Sequence, residues 1–276
     1  MTTQDFSAWI GRQETIEDNI DIGHVQKIAL SVGARAPSVG DPLPALWQWG
    51  LFISGLPYEE LGEDGHPRRG GFLPPAGDNR NRMWAGGRVT FSQPLRVGTP
   101  GRKVSTILDV KEKEGRTGKL MFVTVRHDYF QNDQLCISEE QDIVYREPSP
   151  PKLQGSTPAP QAQWSETVQP STTMLFRYSA VTFNGHRIHY DFPYVTEKEG
   201  YPGLVVHGPL IATLMCTAFV NANPDKQLAT FAYRGLRPLI APAPFQVAGT
   251  LTGEGTASAW AEQDGTLAHQ AEVTFR

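Results

Sequence analysis

One stretch divides this chain before anything else can be said about its fold. Pro148, Pro150, Pro151, Pro158 and Pro160 crowd into a run that also holds Gly155, Ser156 and Thr157. Proline lacks an amide proton and has a fixed φ, so such a run sustains neither a helix nor a strand ladder. Residues 147–163 therefore read as a linker between a first half, 1–146, and a second half, 164–276.

The halves repeat one pattern. In the first, residues 88–96 lead through Gly98, Pro100 and Gly101 into Val104, Thr106, Leu108 and Val110, which alternate with Ser105, Ile107, Asp109 and Lys111. A period of two is the mark of a strand. Turns at residues 114–118 and 131–133 then separate two further strands, 119–129 and 135–145, completing an antiparallel meander. In the second half, residues 230–239 lead through Pro242 and Pro244 into 245–252, and the turn Asp264-Gly265 opens a last strand in which Ala271, Val273 and Phe275 alternate with polar residues. Gln93-Pro94-Leu95-Arg96-Val97 and Arg237-Pro238-Leu239-Ile240-Ala241 hold matching places, which points to an internal duplication.

Each meander has a helical candidate ahead of it. Residues 207–222 begin with Gly208 and Pro209 and are apolar on nearly every face, so a helix there must be wrapped by sheet. Residues 46–53, after Pro42 and Pro44, are the first-half counterpart, although Gly50 weakens a helix. Residues 175–181 read as a strand. Two antiparallel sheets, each wrapping a central helix, make an α+β fold.

With 276 residues, 39% of them apolar, the chain can bury a substantial core. Its 25 Lys and Arg against 29 Asp and Glu produce no field that attracts nucleic acid or an anionic membrane as a general partner. The two cysteines, Cys136 and Cys216, cannot build a disulfide framework, and no leader or membrane-span pattern is visible, so a cytoplasmic home is expected.

Three of the seven histidines fall between residues 186 and 207, in Phe183-Asn184-Gly185-His186-Arg187-Ile188-His189-Tyr190-Asp191 and Val206-His207-Gly208-Pro209. This is the strongest polar signal in the chain, set just ahead of its most buried helix. A zinc set from His186, His189 and His207 is conceivable by residue type, but the spacing does not favour it and no metal or cofactor is expected. Gly253-x-Gly255 precedes no helix and is no phosphate loop.

This string resembles the MaoC-like (R)-specific enoyl-thioester hydratases, whose motif runs Gly-Asp-x-Asn-Pro-aliphatic-His with a His-Gly at the mouth of the central helix. The motif histidine falls on His189, the aliphatic position on Ile188, and the aspartate position on Asn184. The asparagine is a departure from the broad motif. It is usual in a narrower two-domain branch containing itaconyl-CoA hydratases, mesaconyl-C4-CoA hydratases and the mitochondrial hydroxyacyl-thioester dehydratase type 2, which the first half also resembles at Gly70-Gly71-Phe72-Leu73-Pro74-Pro75 and Arg82-Met83-Trp84-Ala85-Gly86-Gly87.

The resemblance implies a double hot-dog fold and a hydro-lyase on an acyl-CoA thioester, with CoA as part of the substrate. Itaconyl-CoA to citramalyl-CoA is the leading expectation. Mesaconyl-C4-CoA hydration and 3-hydroxyacyl-thioester dehydration are alternatives, while a thioesterase or a non-catalytic acyl-CoA-binding protein would be a different class. His189 is expected to transfer the proton, Asn184 to orient water or the imidazole, and the Gly208 amide to hold the thioester oxyanion. Asp191 is the other carboxylate within reach of His189. Arg177, Arg187, Arg234 and His207 are expected on the substrate or CoA, with Arg237, Arg68 and Arg69 as further candidates. One competent site per chain, and a homodimer, complete the expectation.

Overall fold

The computed structural model describes residues 6–68, 71–76, 80–115, 118–147 and 149–276. Arg69, Gly70, Arg116, Thr117 and Pro148, named above, lie outside the described residues.

Ten strands form one continuous antiparallel sheet in the order β1-β3-β4-β5-β2-β7-β10-β9-β8-β6. The strands are β1 (Gln13–Asp18), β2 (Asn81–Phe91), β3 (Gly101–Gly115), β4 (Gly118–Gln131) and β5 (Gln134–Arg146), then β6 (Trp164–Val168), β7 (Leu228–Gly235), β8 (Phe245–Gly253), β9 (Thr256–Gln263) and β10 (Thr266–Phe275). The order reads the same outward in both directions from the β2–β7 pair, where Gly86 faces Arg234 and Thr90 faces Thr230. Glycine is required there, because a Cβ on Gly87 would lie 2.6 Å from the Tyr233 hydroxyl oxygen. The sheet alternates as the sequence does: Ala271 and Val273 are buried while Glu272 and Thr274 are exposed.

Inside the second half lies α4 (Gly208–Ala222), with Leu210, Ile211, Ala212, Met215, Cys216, Ala218 and Phe219 all buried. It packs on β6, β7, β8, β9 and β10. Each large aliphatic or aromatic side chain so buried contributes roughly 1.5–3 kcal/mol, which holds the helix against the sheet whatever its individual propensities.

The first half departs from this plan. Residues 46–53 do not form a helix; a single 3₁₀ turn, Trp47–Gly50, is bracketed by Leu46 at φ 69° and Phe52 at φ 51°. The cause is side-chain chemistry as much as Gly50: Trp49 turns its indole N–H to both carboxylate oxygens of Glu139, at 2.9 Å each. Glu139 is completely buried, and Tyr129 and Gln141 also donate to it. Trp49, Tyr129 and Gln141 thus close a polar knot around buried Glu139.

The expected strand at residues 175–181 is instead α2 (Thr172–Val181), capped by Ser171, whose hydroxyl accepts from the Met174 amide. Leu175, Tyr178, Ser179 and Val181 are its buried positions, at helical spacing. It packs on α1 (Ile22–Val32), which begins at the cap Asp21 and ends at Gly33 in the left-handed region, φ 70°. His24 ties the pair down, its Nε2 lying 2.7 Å from the Gly50 carbonyl and 2.9 Å from that of Val181.

Candidate active site

The loop after α2 is built by its own short-range bonds. Phe183 takes φ 50°, and the Asn184 amide donates to the Ser179 carbonyl at 2.8 Å. The Asn184 side-chain oxygen accepts from the backbone amide of His186 at 3.0 Å, a local turn that asparagine makes readily. A 3₁₀ turn, Arg187–His189, follows, and Asp191 then caps α3 (Phe192–Glu197) by accepting from Tyr194 N. The result is that His186 and His189 are presented from a loop whose backbone is already bonded.

His189 is the most constrained of these groups. Its Nδ1 lies 2.7 Å from the Val205 carbonyl. A carbonyl only accepts, so Nδ1 carries the proton and Nε2 is left as the basic nitrogen. Burial, outweighing that bond, pulls the imidazole down to about 4, so it is neutral near pH 7. Its ring stacks on His207 at 3.7 Å between centroids, 19° from parallel. His207 immediately precedes α4, has its Nε2 2.8 Å from Ser179 Oγ, and has a buried Nδ1 with no partner among the described residues. Burial pushes His207 well below its ordinary value, with His189 and His186 adding to it.

At the mouth of α4, Gly208 precedes Pro209, which has no N–H, so the Gly208 amide is among the few helix-start donors present. A Cβ on Gly208 would sit 3.0 Å from the Trp84 ring. Trp84 itself meets Trp49 edge-on at 5.2 Å and Tyr233 at 4.7 Å. Of this aromatic wall at the helix mouth, Trp49 and Trp84 come from the first half and Tyr233 from the second.

The first half supplies more than a wall. The turn around Gly65, φ 84°, touches the backbone of Gly185, and a Cβ on Gly65 would collide with the Gly185 carbonyl. Arg187 N donates to the Asp64 carbonyl and Arg187 Nη1 to the Glu63 carbonyl, both at 2.9 Å. This clasp lays His66 over His186 at 4.1 Å between ring centroids, and His186 meets His189 edge-on at 5.4 Å. His66 donates through Nδ1 to Asp64 Oδ2 at 3.0 Å. Burial opposes charge on Asp64, yet the His66 hydrogen bonds outweigh it and hold the carboxyl well below the usual range. Burial depresses both His66 and His186, and the nearby Arg82 guanidinium depresses each further. Asp64, His66 and Arg82 were not among the sequence candidates. The Asp64-Gly65-His66 turn was a legible signal, but nothing local ties it to a loop 120 residues away.

The structure gathers His189, Asn184, His207 and Gly208 in one place and sets the arginines apart. Arg177 is exposed on α2. Arg187 spends its Nε and Nη2 on Asp191 Oδ2, at 2.9 and 2.8 Å, and stacks on Tyr194; it fastens the loop rather than facing a ligand. The same pair of bonds and the α3 cap engage both oxygens of Asp191. Arg234 is exposed on β7, across from Gln270. Arg237 is committed to the carbonyls of Gln263, Thr266 and Leu267, and Arg68 to that of Leu61.

Asp64, His66 and His186 offer three ligand atoms within 4.8 Å of one another, the one metal-type grouping among the described residues. It differs from the His186, His189, His207 set considered from sequence. The Arg82 charge beside it opposes a cation there and suits an anion.

A helix wrapped by antiparallel sheet, with a buried histidine at the helix mouth, defines a protein of the hot-dog fold. A profile of the hydroxyacyl-thioester dehydratase type 2 family matches residues 47–241, and the chain belongs to that family. It is 44% identical over 264 residues to a mesaconyl-C4-CoA hydratase of Chloroflexus aurantiacus, covering 92% of each chain. It is 29% identical over 261 residues to the mitochondrial hydroxyacyl-thioester dehydratase type 2 of Schizosaccharomyces pombe, covering 84% of each. Among solved structures, a MaoC-like dehydratase from Phytophthora capsici shares the fold with a TM-score of 0.73 at 12% identity, over 96% of this chain and 95% of the other. No described helix is long and apolar enough to cross a membrane.

Proposed function

We propose that this protein hydrates a short dicarboxylic enoyl-CoA, with mesaconyl-C4-CoA as the first candidate. The Chloroflexus relative, at 44% identity, favours that substrate over itaconyl-CoA, the leading expectation from sequence. The observation that carries the reaction is the tautomer of His189: Nδ1–H is held by the Val205 carbonyl, so a neutral Nε2 is available as a base.

In this reading a water between Asn184 and His189 gives its proton to Nε2 as its oxygen bonds to the β-carbon. The π electrons of the double bond move onto the thioester oxygen, where the Gly208 amide receives the charge. The enolate then collapses, and the proton held on Nε2 passes to the α-carbon. Asn184, whose oxygen is spent on the His186 amide, has its NH₂ left to orient the water. His207 supports the His189 ring by stacking rather than by touching CoA. Residues 1–146 and 164–276 are proposed as the two halves of a duplication, with 147–163 as their linker and one competent site between them.

The test is a panel of mesaconyl-C4-CoA, itaconyl-CoA and crotonyl-CoA, followed by enoyl absorbance and by free thiol. Loss of absorbance without thiol, fastest with mesaconyl-C4-CoA, supports the reading. Thiol release would make the protein a thioesterase, and no change with any of the three would leave a binding protein.

A further inference from the structure

Strand β2 carries an arginine with no ion pair among the described residues. Arg82 is half-buried, lies directly across from buried Tyr145 in the β2–β5 register, and precedes by two residues Trp84, whose ring lies against the mouth of α4. Its neighbour on the strand Arg88 is paired with Glu140 and Asp142, and Arg80, just before the strand, with Glu112. Among the described residues Arg82 makes no hydrogen bond and no ion pair, yet its charge reaches both His66 and His186. Partial removal of a guanidinium from water is costly unless something completes its hydrogen bonding. Its planar fork of five N–H groups matches a carboxylate with two parallel bonds.

The site is ordered in space. His207, His189, His186 and His66 follow one another at 3.7, 5.4 and 4.1 Å between ring centroids, and the Arg82 charge reaches the last two. The proton-transfer atom is on His189, whose ring meets that of His186, one of the two imidazoles that feel the Arg82 charge. With C–C bonds of about 1.5 Å, the two carboxyl carbons of an extended four-carbon diacid are only roughly 4 Å apart. An anion receptor for such an acid must therefore lie close to the reacting carbons, and Arg82, two residues before the Trp84 that lines the helix mouth and felt at His186, is the cation that meets this requirement.

We propose that Arg82 receives the free carboxylate of the dicarboxylic enoyl thioester and so sets the preference for diacid over monoacid substrates. The proposal rests on the hydratase reading above. It goes beyond it by assigning the residue that recognises the second acid group, while the Asp64 carboxylate is engaged by His66.

The test compares kcat/KM of the parent, Arg82→Gln and Arg82→Lys on mesaconyl-C4-CoA and on crotonyl-CoA. Loss of a charge-assisted bidentate contact should lower the diacid-to-monoacid ratio by about 10- to 100-fold in Arg82→Gln. The loss should lie mainly in KM, and Arg82→Lys should recover part of the ratio. An equal fall on both substrates, with the ratio unchanged, would make Arg82 structural and overturn the proposal while leaving the hydratase reading intact. So would an unchanged Arg82→Gln. A parent that hydrates crotonyl-CoA but neither diacid thioester would overturn the substrate class and this proposal together.

Discussion

Lowering the pH from about 7.5 to about 5 adds protons to an unfolded chain whose histidines titrate at about 6.5, whereas the folded protein resists them at its site. His189 is buried and titrates at about 4 in the fold. A folded value below the unfolded one means that stability is fully present above about pH 6.5 and is lost as the pH falls toward 4. At about 1.4 kcal/mol per pH unit, His189 alone removes about 2 kcal/mol between pH 6.5 and 5. His207 is stacked on it and is depressed for the same reason, so it acts in the same direction, and two imidazolium rings at that separation would also repel. A domain of ordinary stability, on the order of 5–15 kcal/mol, feels such a loss plainly. Urea denaturation at fixed pH values across this range measures it, and His189→Gln should flatten the profile. The same shift places the acid limb of kcat/KM near pH 4, so activity should be retained at pH 5.5 in protein that is still folded. An ordinary histidine would by then be only about a tenth neutral. Constant stability from pH 7.5 to 5, or an acid limb near 6.5, would refute this account of the site.

Three further outcomes are expected. His189→Ala should lower turnover by a factor on the order of 100 to 10,000 with the fold intact by circular dichroism, the usual contribution of a positioned acid or base. Asn184→Ala should lower turnover without moving the pH profile, whereas Asn184→Asp, which keeps the acceptor for His186 N but adds charge beside the imidazoles, should move the acid limb of kcat/KM upward. Glu139→Gln should stabilise the protein at neutral pH: burial raises the carboxyl, so the parent loses stability as pH rises above the unfolded carboxylate range, and the gain in melting temperature should vanish near pH 4.

The meanders and the wrapped helix were legible because their signals are local: strands alternate every two residues, and α4 is apolar all round. The run at 175–181 misled because Leu175, Tyr178 and Val181 are common in strands and few in number; the Ser171 cap was the contrary signal. The absent first-half helix depended on where a tryptophan N–H finds its acceptor, and Glu139 lies 90 residues from Trp49. For the site, the resemblance picked out His189 and Gly208, which the fold then set beside His207 at the helix mouth. Arg187 and Asp191 drew attention as charges near the motif, but their charges are spent on each other. Arg82 and His66 were invisible as a pair, since β2 and the Gly65 turn meet the motif loop only when the two halves close.

The central claim is that water adds across a double bond while the thioester survives, with His189 carrying the proton. Turnover of mesaconyl-C4-CoA in heavy-oxygen water, read by mass spectrometry, tests it directly. The account predicts one heavy oxygen in the acyl group of an intact hydroxyacyl-CoA, formed by the parent and lost in His189→Ala. Heavy oxygen in a free acid together with free CoA, or undiminished labelling by His189→Ala, would contradict it.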